Sequence, residues 1–198
     1  MPTKKAASTI GLKNLVIAEV LTDTDTETTY GEVIHVAGIM EATITPQNND
    51  PDVQYADDGE YDVVYPDPEQ TFTTKMADVP LDIQKKLFNS VIDQNGVLLR
   101  NTKDKPGYFA VGFKSEKADH TYRYVWLYKV RAKPLTENYT TKEGANITRQ
   151  TGDLEWSAIK RNSDGNYQAV ADEGENGFTP QKAETFFATV YEPSLPST

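Results

Sequence analysis

The hydrophobic positions of this chain follow two different periods. From Leu12 to Leu21 and from Glu32 to Thr45 β-branched residues are dense, and the polar stretch TDTDTETTYG between them predicts a strand pair with His35 inside its second member. Tyr61 to Tyr65 and Thr71 to Met76 predict further short strands, parted by PDPEQ, whose prolines suit only a turn or a sheet edge. The period then lengthens. In ADVPLDIQKKLFNSVIDQNG, Ile83, Leu87 and Val91 recur on one stripe, Asp78 stands just before Pro80, Pro80 suits a first helical turn and Asn95-Gly96 can end the element. This is the one central helix expected.

Strands resume with GVLLR, YFAVGFK and TYRYVWLYKVR, the last two joined by the polar turn SEKADH. Tyr122, Tyr124, Trp126 and Tyr128 fall on one face of the final strand, and Arg123, Val125, Leu127 and Lys129 on the other. A second hairpin is expected from DLEWSAIKR, the turn NSDG and NYQAV, with KPLTENYTTKEGANIT as a polar loop before it. Near the end, Thr179 can cap and Pro180 can open a short helix through QKAETFFATVY, with a strand as the alternative. The sum is a mainly β domain with one central helix and a short C-terminal one.

One segment fits neither period. Thr45 to Asp62, TPQNNDPDVQYADDGEYD, carries five aspartates and a glutamate without a lysine or arginine. Its Asn, Asp, Pro and Gly content disfavours regular pairing alone. Three uses compete for it: a metal loop, a pair of catalytic carboxylates, or an acidic arm that becomes ordered against a partner.

Charge sharpens the choice. Of a formal net charge of -10, residues 1–70 hold 14 acids and 3 bases, whereas residues 71–198 hold 16 acids and 17 bases. That asymmetry suits a tail or an oriented surface and argues against a binder that grips nucleic-acid phosphates, which needs a basic footprint. The 198 residues suffice for one domain with a core. No cysteine is present, so disulfides and thiolate metal sites are excluded. Lys13 and Glu19 interrupt LKNLVIAEVL, so no signal or membrane anchor is expected and the reading is a cytoplasmic product. Asn138 and Asn146 begin N-x-[ST] sequons that read as chance matches on such a product.

Candidate chemistry is thin. Neither DDGEYD nor DQNG nor NSDG has the spacing of a calcium loop, and turn chemistry explains their residues. Only His35 and His120 are available to zinc or iron, without an HExxH pairing. No GxSxG elbow and no phosphate-cradling glycine loop occurs. Two carboxylates among tyrosines could cleave a glycoside, yet no spacing rule identifies them, and tyrosine-rich faces are more often core or interface. The alternative to a structural role is thus a carbohydrate-binding or glycoside-cleaving β-domain, motivated by Trp126, Trp156, the tyrosines and the acids.

The blocks GLKNLVIAEVL, YGEVIHVAGIMEATITP, YADDGEYD, ADVPLDIQKKLF, NGVLLRN, YFAVGFKSEK and YRYVWLYK, in this order from Gly11 to Asp172, resemble the major tail proteins, or tail tube proteins, of phages with long non-contractile tails. ADHTY is an altered hairpin tip, and the acidic arm and residues 133–148 are places where members vary. The resemblance implies a β-sandwich or barrel-like tail tube domain over 11–172 that includes an acidic arm at 46–60. A flexible N-terminus at 1–10 and a C-terminal extension at 173–198 flank it. It also implies a virion tail protein without enzymatic activity or cofactor, made in the host cytoplasm. Such a protein assembles with itself as stacked rings, usually of six, and meets the tape measure and other tail proteins. Phage DNA passes without sequence-specific binding, and no membrane is involved. Asp50, Asp52, Asp57, Asp58 and Glu60 are the lumen or interface candidates. A closer alternative is another tail component such as a terminator.

Overall fold

The protein is described here from a computed structural model covering residues 7–47, 51–56, 59–64, 69–137, 139, 141 and 151–194. In chain order its elements are β1 (Thr9–Asp23), β2 (Thr28–Tyr30), β3 (Ile34–Val36), β4 (Ile39–Pro46), β5 (Asp52–Ala56), β6 (Gly59–Val64), β7 (Gln70–Met76), α1 (Leu81–Phe88), β8 (Val91–Ile92), β9 (Leu98–Leu99), β10 (Phe109–Lys117), β11 (Tyr122–Ala132), β12 (Gly152–Ala158), β13 (Gln168–Asp172) and α2 (Pro180–Thr185). All pairings are antiparallel.

One long sheet runs β2-β1-β10-β11-β12-β7-β4, with β3 added to β1 and β13 to β11. It folds back on itself as a sandwich, and β11 makes the corner. Residues Arg123 to Leu127 pair with β13, whereas Val130 to Ala132 pair with β12. The change of partner coincides with a bulge. Val111 faces Leu127 and Phe109 faces Val130, so Tyr128 and Lys129 together oppose Ala110. An extra residue bends a strand and reverses which side chains face inward beyond it. Leu127 and Val130, three apart, therefore both enter the same core.

That core lies between the two halves. Leu15, Ile17, Phe109, Val111, Phe113, Val125 and Leu127 meet Phe72, Met76, Leu154 and Trp156, with Ile83 and Leu87 of α1 closing one end. Phe72 stacks on Phe113 at 5.8 Å with rings 3° from parallel, and the Trp156 indole donates to Thr74 Oγ1 at 3.0 Å, leaving no unpaired donor there. The opposite face of the β1–β10–β11 layer carries a second core. Val16, Ala18, Ala110, Tyr124, Trp126 and Tyr128 are covered by Phe186, Phe187 and Val190 of the C-terminal segment. The two-faced reading of TYRYVWLYKVR holds for Tyr124, Trp126, Val125 and Leu127.

The chain departs from the sequence reading in several places. The run from Glu32 to Thr45 is two strands, broken where Gly38 adopts φ +93°, a conformation that glycine reaches without cost. Helix α1 ends at Asn89, in the left-handed region at φ 53°, so Val91 leaves the helical stripe and pairs with Leu99 instead. Asn95-Gly96 then forms the β8–β9 turn, where Asp93 Oδ1 accepts the N–H groups of Asn95 and Val97 at 2.8 and 2.9 Å. DLEWSAIKR and NYQAV do not form a hairpin with each other. The turn through Asn162–Gly165 closes locally, but β12 and β13 join different stretches of β11 because the bulge separates the two layers at that point. Finally, the acidic stretch contains regular structure: Val53, Tyr55, Tyr61 and Val63 supply enough β-formers to pair β5 with β6. The C-terminal helix starts as expected, with Thr179 accepting from the Lys182 N–H and Pro180 in the first turn, but it ends at Thr185 rather than running through QKAETFFATVY.

Candidate assembly interface

Among the described residues the β5–β6 hairpin is a sheet of its own, without a pairing to the sandwich. Six residues of strand make it about 20 Å long. Its apolar side chains have no core to enter: Tyr61 is 74% exposed, Tyr55 68%, and Val63 and Val64 are exposed as well. Exposed aromatics on an isolated ribbon are the composition of a contact surface.

Of the five acidic residues singled out above, Asp52 lies in β5, facing Val64, and Glu60 in β6, facing Tyr55. Asp50, Asp57 and Asp58 lie outside the described residues. A further acid, Asp62, is exposed on β6, and its carboxylate accepts the Val63 N–H at 2.9 Å. The strand expected from Tyr61 to Tyr65 takes in Tyr61 and Val63, whereas its partner over Asp52–Ala56 was not expected; the alternation of Val53 and Tyr55 was the available signal.

The sandwich has open borders too. β4 pairs with β7 on one edge only, and β13 with β11. Between the start of β1 and β4 the two layers part around a slit of about 400 Å³, lined by Ile10, Leu12, Met40, Phe113 and Arg123 among others. Strand borders of this kind present unpaired N–H and C=O groups and invite another strand.

Ion pairs fix the strands around β11. Asp172 accepts a two-pronged contact from Arg123 at 2.7 and 2.8 Å and a bond from Lys117 at 2.7 Å, tying β10, β11 and β13 together. The Arg123 fork holds its carboxyl at about 2, against the opposing effect of burial. Arg161, 2% exposed, forks onto Asp164 at 2.7 and 2.6 Å, reaches Glu192 at 2.9 Å and Tyr30 at 3.4 Å, and lies 4.2 Å above the Tyr128 ring. The same fork holds Asp164 at about 2, and burial pushes the Tyr30 hydroxyl up to about 12, so it stays neutral. Beside this node, Lys129 pairs with Asp23. Burial raises the Asp23 carboxyl, but bonds from Lys129, the Asn162 N–H and Thr28 outweigh it and the net shift is downward. Arg161 thereby clamps the C-terminal segment onto the sheet.

These shifts set a pH dependence. Asp164 and Asp172 have folded-state values of about 2 against 3.8 for the free group. Depressed carboxyls stabilise the fold above the free value and lose that contribution as pH falls through the folded one. Stability is expected to be level above pH ~4 and to fall by about 2 kcal/mol for each group between pH ~4 and ~2. Urea titrations at stepped pH check this, and a flat profile over that window would contradict it.

Among the described residues, no group of three or more His, Asp or Glu is placed to hold a metal ion, and no helix is long and apolar enough to cross a membrane. His35 is an exposed strand residue, and His120 occupies the β10–β11 turn at φ 63°. No curated protein shows a significant match to the chain. A family model described as phage tail tube protein matches residues 20–192, from the end of β1 through the hairpin and the C-terminal helix. The chain belongs to the family of phage tail tube proteins, structural components of the virion tail.

Proposed function

We propose that copies of this chain close into rings, hexameric by resemblance, and that the rings stack into a hollow tube through which phage DNA passes. The observation that carries the proposal is the β5–β6 hairpin: a ribbon with exposed tyrosines and no partner among the described residues of its own sandwich, within a chain of the tail tube family. A head-to-tail contact that closes by rotation makes a ring, and a second contact that does not close makes a filament. The sheet borders of β4 and β13 supply the first kind of contact and the hairpin the second. Residues 11–172 form the tube-building unit, and 173–198 extend it. The tape measure and other tail proteins set length and initiation.

Asp50, Asp52, Asp57, Asp58 and Glu60 act at the lumen or between copies. Duplex DNA carries about one negative charge per 1.7 Å, so a basic wall would retain it and an acidic wall lets it slide. A ring of six carries six times -10, or -60. Like-charged copies approach more readily when salt screens them. Tube growth followed by light scattering should change several-fold between about 20 and 150 mM salt, where the screening length falls from roughly 20 Å to 8 Å. Replacing the five acids with Asn and Gln should flatten that dependence and alter growth while the far-UV spectrum of the monomer stays unchanged. Equal growth of both proteins at all salt concentrations would remove the arm from assembly.

A further inference from the structure

Around the C-terminal end of α1 the sandwich carries a surface that neither core uses. Asn89 donates to the Lys105 carbonyl at 2.9 Å, and Ser90 to Asp104 at 2.9 Å, so the loop 100–106 is held against the helix end. This gathers Lys85, Lys86, Lys103 and Lys105, all exposed and none in an ion pair among the described residues. The nearby acids are engaged locally: Asp104 by Ser90 and the Asn101 N–H, Asp93 by its own turn, and Glu137 by Arg100. Against Asp82, Asp93, Asp104 and Glu137, the four lysines and Arg100 leave this surface slightly positive in a protein of net charge -10.

The patch is also apolar. Val91 and Leu99 face each other across β8–β9 and both are exposed, next to the exposed Val97. Beside them a cleft of about 230 Å³ opens between Phe88, Ser90, Arg100, Pro106, Pro134 and Leu135. That is below the 300 Å³ or so at which small-molecule sites begin. It suits a single aromatic side chain.

We infer that this lysine-rimmed cleft receives the β5–β6 hairpin of a second copy, with Tyr55 or Tyr61 entering between Phe88, Pro106 and Leu135 and the hairpin's acids meeting Lys103, Lys105 and the lysines of α1. This names the partner surface of the arm and rests on the reading that the arm bridges copies. The match is twofold. The segment from residue 50 to 62 holds six acids and no base, and the receiving surface presents four lysines that make no ion pair among the described residues. The hairpin exposes Tyr55, Tyr61, Val63 and Val64, and the receiving surface offers an aromatic-sized cleft and a valine–leucine pair. Tyrosine is an effective anchor because it brings large apolar area with few rotors to order. The larger hollow under α2, about 880 Å³, is a poorer host: Glu173 and Glu184 line it, and its Lys114 is already engaged over the rings of Tyr122 and Tyr124.

The chain has no cysteine, so an engineered pair reports one contact without background. Full-length Tyr61→Cys and full-length Pro134→Cys proteins are mixed under assembly conditions and oxidised. A disulfide joining the two different chains is expected, at least tenfold above its yield in dilute unassembled protein. A charge test accompanies it. Lys103→Glu with Lys105→Glu should slow tube growth at least tenfold, and adding Glu60→Lys with Asp62→Lys should restore most of it. Tubes that form without the mixed disulfide, or that ignore the charge reversal, overturn this contact while leaving tube building intact. A chain that forms neither rings nor tubes overturns the underlying reading as well.

Discussion

Replacing Arg161 with alanine should cost about 3 kcal/mol, the lower end of what breaking a buried ion pair costs, because Asp164 and Glu192 keep some access to water. For a chain of this size that is a fall in Tm of roughly 6–12 °C. The loss is large because one guanidinium serves four groups from separate parts of the chain: Tyr30 after β1, Tyr128 at the corner of β11, Asp164 in the turn before β13, and Glu192 beyond α2. Lysine at the same place keeps the charge but cannot fork onto Asp164 or stack as a plane on Tyr128, so Arg161→Lys should fall between the two. The alanine variant should also lose Asp164's share of the acid dependence between pH ~4 and ~2, since its carboxyl returns toward 3.8. Differential scanning calorimetry at neutral and acid pH reads both effects. A Tm within 2 °C of the parent would show that Glu192 and the C-terminal segment are not clamped there.

The second large effect is expected from Gly112→Val. Gly112 sits in β10 on the face covered by the C-terminal segment, and a Cβ there would come within 2.9 Å of Trp126 and of Phe187. Both rings are buried. Trp126 is fixed further by its indole N–H, which donates to the Phe186 carbonyl at 3.0 Å. Neither ring can yield without lifting residues 186 and 187, so overpacking of about 3 kcal/mol is expected, at the upper end of the usual range. The damage should be local. The Phe72–Phe113 core lies on the other face of β10 and keeps its contacts. Proteolysis should therefore trim the C-terminal segment of the variant while the sandwich survives, and trimming equal to that of the parent would contradict this packing.

Much of the architecture could be read from the chain because strands announce themselves by alternation. TYRYVWLYKVR puts Tyr124 and Trp126 on one face and Val125 and Leu127 on the other, and the structure puts the two sets in separate cores. Thr179-Pro180 marked α2 by capping chemistry alone. The errors arose where a long-range choice overrode a local signal. Val91 matched the helical stripe, but the helix is stopped by a left-handed Asn89, which leaves only a weak trace in sequence. NSDG looks like a hairpin turn, yet the flanking strands are drawn to different ends of β11 by the bulge at Tyr128 and Lys129, a feature that depends on the register of a third strand. Arg161 gave no sign of being buried, because its partners come from residues 30, 128, 164 and 192. The strand at Tyr61 could be read from its alternation, but its pairing with Asp52–Ala56 could not, because the Asn, Asp, Pro and Gly around that stretch mask the signal.

Tube building requires copies of the chain to join through sheet borders and this ribbon. Negative-stain electron microscopy of the full-length chain, concentrated and produced together with its tail partners, tests that most directly. Stacked rings forming hollow tubes of uniform diameter are the predicted result, and their loss when β5–β6 is replaced by a short Gly-Ser loop assigns the stacking to the arm. Monodisperse single chains at every concentration, or single rings that never stack, would contradict it.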